Sequence, residues 1–177
     1  DVRYSTSPVV TLLTATLGFI YIRLHSLLDY IAKLAHEAEH LQENFDKYPK
    51  LTSAKILFGD RKRLAIDHLP HSLFEKCDEI DEIETLRNRL IHDGLLDDMP
   101  KAYEVWKAGA VTERFLLLPD RTGRRLDRYK GRSLFYGRED KVNLRLPKLI
   151  TTFNVRMVVT LKDIRCSLNQ RGAARGE

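Results

Sequence analysis

An arginine, an asparagine and a histidine stand close together in the run LRNRLIHDG at residues 86–94. Arg87, Asn88 and His92 are residue types that can act on a phosphodiester without a metal. A guanidinium forks onto phosphate, an amide orients its neighbour, and an imidazole moves protons near neutral pH. On a helix with about 100° between residues, and Ile80 set at zero, Leu86, Leu90 and Ile83 fall at about 240°, about 280° and about 300°, and Ile91 at about 20°. Arg87, at about 340°, lies inside this apolar arc, whereas Arg89, at about 180°, points to the opposite side. Asn88 and His92 border the arc on one side, four residues apart. A buried arginine asks for a partner, and Glu84 is the internal candidate. The R-x4-H spacing recurs in Arg63 and His68, so the setting of Arg87 distinguishes it, not the spacing.

A second motif competes. Residues 36–40 read HEAEH, which matches H-E-x-x-H. On a helix this places two histidines one turn apart, as in zinc hydrolases, with the glutamate activating water. Such a site needs a third ligand, and no recognisable follow-on pattern supplies one. The charged, exposed half of an amphipathic helix produces the same string, so no metal or other cofactor is expected.

These residues need helices to carry them. Pro8 opens a first helix that is expected to run to about Asn44, before Tyr48-Pro49. Its first half contains PVVTLLTATLGFIYI at 8–22, fifteen residues without charge. A membrane span wants about 20, so this half is expected to be buried on several sides in a core or subunit interface, with no membrane partner. Residues 52–68 suggest a shorter helix interrupted near Gly59-Asp60, and 68–71 a turn. The apolar spacing from 72 to 93 predicts the motif helix, with Gly94 as its stop. Residues 100–112 predict a further short helix. Then the breakers Pro119, Gly123, Gly131 and Gly137 separate short strands expected at 115–118, 133–136 and 142–146. Pro147 opens a closing helix to about Asn169, and 170–177 reads as a disordered tail. The fold class is mainly α: one domain over 1–177, a helical bundle with a small basic β insertion near 113–146.

Charge is distributed unevenly. The whole chain of 177 residues carries a formal +5. Segment 113–146 holds ten basic and five acidic residues, a net +5, while 75–98 holds three basic and nine acidic, a net −6. Arg121, Arg124, Arg125, Arg128, Lys130, Arg132 and Arg138 are the candidate RNA contacts. Arginine predominates, and Tyr129, Phe135 and Tyr136 lie among them as candidate stacking partners for unpaired bases. Cys77 and Cys166 are far apart with no CxxC, which favours thiols in a reducing, cytoplasmic compartment. The first residue is Asp1 rather than Met, so a processed chain or a fragment is expected.

The run RNRLIHDG resembles the motif of the HEPN superfamily, helical bundles in which an arginine, usually followed by Asn, His or Asp, precedes a histidine by four to six residues. The resemblance is specific over about ten residues, and the β insertion is no part of the common bundle. It implies a homodimer in which two motif helices, with support from the N-terminal helix, build a composite cleft holding Arg87 at the subunit seam. It also implies a metal-independent RNA endonuclease acting as a toxin or antiviral-defence effector, with an antitoxin or other regulatory partner. In that reading His92 is general acid or base, Arg87 holds the scissile phosphate, and Asn88 orients the imidazole or bonds a phosphate oxygen. The 2′-hydroxyl attacks phosphorus, and the products are a 2′,3′-cyclic phosphate and a 5′-hydroxyl. Family members paired with a nucleotidyltransferase carry Tyr two positions after the histidine; here that position is Gly94. The alternatives are a non-catalytic RNA-binding or dimerisation module and, behind it, a zinc hydrolase at 36–40.

Overall fold

The computed structural model describes residues 1–40, 55–97, 99–128 and 134–173. It is mostly helical, with a small antiparallel sheet. Strand β1 (Val2–Ser5) precedes helix α1 (Pro8–His40), and α2 (Asp78–Asp93) carries the motif. Strands β2 (Ala102–Lys107), β3 (Ala110–Leu116), β4 (Arg121–Thr122) and β5 (Arg125–Leu126) follow, and α3 (Val142–Ala173) closes the chain. Two compact units emerge: Asp1–Arg23 with Asp78–Thr151, and Leu24–Cys77 with Thr152–Glu177.

The first unit holds the motif. Val10, Leu17 and Tyr21 of α1 are buried, as are Ile80, Ile83 and Leu86 of α2 and Leu149 of α3. Gly18 lets α1 and α2 approach closely, since a Cβ there would lie 2.7 Å from the Leu90 side chain. Strand order is β1-β2-β3, all antiparallel. The helix expected over 100–112 is instead the β2–β3 hairpin. Its alternating aromatic and β-branched residues pair across strands: Tyr4 faces Tyr103, and Tyr103 stacks on Phe115 with ring centroids 5.4 Å apart. Ala108 and Gly109 turn the chain with φ of 48° and 80°, the two positive values that a tight hairpin favours. Residues 134–136 are not a strand, and 133 lies outside the described residues. Residues 142–146 are the first turns of α3, not a strand, and Pro147 sits inside that helix rather than opening it. Their alternation imitates a strand, but Arg145 and Leu149, one helical turn apart, face inward together while Leu144 is exposed.

The first half of α1 is less buried than its composition suggests. By length and composition α1 is apolar enough to cross a membrane, and 33% of its most apolar window is buried. Val9, Leu12, Leu13 and Phe19 are all exposed.

In the second unit the segment 52–68 is no interrupted α-helix: the described part forms 3-10 turns at Phe58–Arg63 and Ala65–His68, broken at Leu64. α2 begins at Asp78, six residues later than the apolar spacing predicts. Residues 72–77 stay irregular because side chains claim their backbone. Thr160 Oγ1 accepts the Leu73 N–H at 2.9 Å, Ser72 Oγ accepts that of Phe74, and Arg156 donates to the Ser72 carbonyl at 2.8 Å. Phe58 and Phe74 stack at 5.8 Å to fill the core there. α3 continues as helix through Ala173, beyond the expected start of a disordered tail. The expected end of α1 near Asn44 lies outside the described residues.

Candidate functional site

The charge asymmetry of the sequence resolves first into internal pairing. Arg121 donates to Asp78 at 2.7 Å and to Glu82 at 3.3 Å, and Arg145 of α3 reaches the same Glu82 at 2.7 Å. Tyr21 of α1 donates its hydroxyl to the other Glu82 oxygen at 2.8 Å. Glu82 is only 3% exposed, and the three donors around it supply the partners that a buried carboxylate needs. Burial opposes ionisation of Asp78, but the hydrogen bonds and charges of Arg121 and Arg145 outweigh it and hold that carboxyl below its ordinary value. Burial, reinforced by Glu82, pushes the Tyr21 hydroxyl far above its ordinary value, so it stays a donor. Arg124 pairs with Asp81 at 2.7 Å and with Glu84. The β4–β5 hairpin is thereby fastened along the acidic side of α2.

This pairing also rotates the buried face of α2. Asp81, Glu82 and Thr85 are buried beside Ile83 and Leu86, whereas Ile91 is 53% exposed. Arg89, expected to face away from the core, is the buried arginine: its side chain is 8% exposed and ion-paired with Asp93, which is 41% exposed. Arg87, expected in the centre of the apolar face, lies at its border and donates to Asn88 Oδ1 at 3.0 Å. Glu84, the internal partner weighed for Arg87, is bound to Arg124 instead.

Asn88 and His92 line a cleft of about 500 Å³ together with Thr85, Arg89, Asp93 and, from the hairpin, Arg124, Arg125, Leu126 and Arg128. Both motif residues are exposed there. The candidate RNA contacts therefore separate. Arg124, Arg125 and Arg128 reach the His92 cleft, while Arg121 and Arg138 line a different cavity of about 280 Å³ with Asp78, Glu82, Asp140 and Arg145. Lys130 and Arg132 lie outside the described residues, as does Tyr129. Arg87 does not line the His92 cleft. Of the other candidate stacking rings, Phe135 is exposed, and the Tyr136 hydroxyl donates to Asp97. Arg89 and Asp93 were the cleft residues missed in the sequence. The signal was present, since Arg89 precedes His92 by three positions, a same-face spacing.

The second motif belongs to the second unit. His36 and His40 stack with centroids 4.1 Å apart, and His40 Nδ1 lies 2.8 Å from the His36 carbonyl oxygen. Among the described residues no group of three or more His, Cys, Asp or Glu side chains is placed to hold a metal ion. Cys77 and Cys166 form no disulfide. No family model matches the chain, and neither a curated protein nor a solved structure matches it.

Proposed function

We propose that this chain is a metal-independent RNA endonuclease of the HEPN type. The observation that carries the reading is one cleft in which the proton-transfer residue His92 and the amide of Asn88 face Arg125 and Arg128. RNA brings its own nucleophile, so the protein must supply proton transfer and charge stabilisation alone. His92 takes the 2′-hydroxyl proton as oxygen attacks phosphorus, the P–O5′ bond breaks, and the departing 5′-oxygen takes a proton from solvent water while the imidazolium returns its proton to solvent. Asn88 is held by the Arg87 guanidinium and steers either the imidazole or a phosphate oxygen. Arg87 acts through Asn88 within its own chain, or at a partner's cleft across a dimer seam. The exposed Val9, Leu12, Leu13 and Phe19 on α1 and Ile91 on α2 offer the apolar surface for that homodimer. The reading extends to a cytoplasmic toxin or antiviral effector with a restraining partner.

The test is incubation of the purified protein with mixed-sequence RNA in excess EDTA, beside His92→Ala. Wild-type cleavage with cyclic-phosphate ends, reduced at least 100-fold in the variant, is the expected result. Undiminished cleavage by His92→Ala removes the site assignment. The second reading, a non-catalytic RNA-binding module, is favoured by one feature: Arg87 is engaged with Asn88 rather than lining the cleft. That reading expects RNA binding with no cleavage by any form of the protein.

A further inference from the structure

Among the arginines of the motif helix, the one that shares a cleft with His92 in a single chain is Arg89. It lies three residues before His92, about 60° around the helix, whereas Arg87 is about 140° away. Its surroundings are unusual for an arginine. The side chain is 8% exposed, so it cannot exchange its partner for water, yet its ion-pair partner Asp93 is 41% exposed. Asp93 also occupies the last turn of α2, where the helix dipole disfavours a carboxylate. A buried cation is thus paired with a carboxylate that itself opens onto the cleft and solvent. The lining of the cleft has four arginines against this one acid. Two of them, Arg125 and Arg128, are exposed and form no ion pair among the described residues. They are aimed by the hairpin that Arg124 fastens to Asp81 and Glu84.

We propose that Arg89, Arg125 and Arg128 form, within one chain, the seat for a backbone phosphate of single-stranded RNA, and that Asp93 is an internal stand-in which the phosphate displaces from Arg89. This rests on the RNA reading of the cleft and assigns the phosphate to different residues from the motif's own arginine. A cleft of about 500 Å³ has room for a single nucleotide. Leu126 offers the sugar or base an apolar contact, and Arg124 is a positioning residue.

The experiment measures binding of a fluorescent single-stranded 2′-O-methyl oligonucleotide in EDTA over a range of salt. That probe lacks the nucleophile and reports affinity without cleavage. Asp93→Asn is expected to bind about fivefold more tightly than wild type, while Glu139→Gln, an exposed control that also removes one acid, stays within twofold. The pair Arg125→Ala and Arg128→Ala is expected to weaken binding at least tenfold and to lower the salt slope by about 0.7, for the loss of one single-strand phosphate contact. The charge-matched pair Lys107→Ala and Lys148→Ala changes neither by as much. Arg89→Lys, which keeps the charge and loses the fork, is expected to weaken binding with an unchanged melting temperature. Asp93→Asn binding no tighter than the Glu139→Gln control overturns the stand-in, and an unaltered salt slope in the arginine pair overturns the seat. The nuclease reading fails separately: the expected binding pattern beside uncut RNA removes it and leaves the seat standing.

Discussion

At the scale of single residues, the site is built by charges that find one another inside the chain. Asp78 is the clearest case, because Arg121 and Arg145 hold its carboxyl below the ordinary range. A carboxylate with a depressed folded-state value adds stability above its unfolded value near about 4, and loses it as pH falls through the folded value. Asp78→Asn is therefore expected to melt below wild type at pH 7, with the gap closing as pH falls below about 4. Melting curves from neutral to acid pH check this, and a gap that widens in acid would refute it. The same pairing explains why the sequence misplaced the buried arginine. Apolar periodicity weighs Ile91 and Leu90 but treats Asp81 and Glu82 as solvated. Once those acids are ion-paired and buried, the inner face of α2 turns toward them, bringing Arg89 in and Arg87 to the border.

At the scale of elements, the end of α2 decides how His92 is presented. Gly94 has φ of +80°, and its N–H bonds the Leu90 carbonyl at 3.0 Å. A Cβ there would meet nothing within 4 Å, so substitution costs only the left-handed conformation. Gly94→Ala is expected to lower stability by about 1 kcal/mol, read by denaturant melts. A loss several times larger would mean that the loop after the cap is rebuilt. The motif helix, its glycine stop and the long first helix from Pro8 were legible because periodicity and caps are local signals. The hairpin at 102–116 was not. Its alternation over Tyr103, Val105 and Phe115 gains meaning only from cross-strand partners, one of them β1 from the other end of the unit. The reverse error at 142–146 has the same origin, since five residues of alternation fit one exposed and one inward helical face equally well.

At the scale of the molecule, the acidic stretch and the basic stretch largely neutralise each other. Glu82 is the centre of that exchange, taking Tyr21, Arg121 and Arg145 from three other elements. Glu82→Gln leaves two largely buried guanidinium groups with only Asp78 to share, and is expected to cost about 3 kcal/mol, at the low end for breaking a buried pair. Chemical denaturation checks the value, and a cost under about 1 kcal/mol would show the network to be solvated. Arg125 and Arg128 are exposed beyond that exchange and open onto the cleft. A cleft lined mainly by one sign of charge raises the local concentration of anions there.

By itself the sequence determined a mainly helical chain, the motif helix with its stop after Asp93, and a candidate set in Asn88 and His92 with arginines downstream. These are properties of spacing and residue type. Only the tertiary structure decided which arginines face His92. Arg121, Arg124, Arg125 and Arg128 lie within eight residues of one another and look alike in a linear chain. Long-range ion pairing separates them, committing Arg121 and Arg124 to the acids of α2 and leaving Arg125 and Arg128 at the cleft.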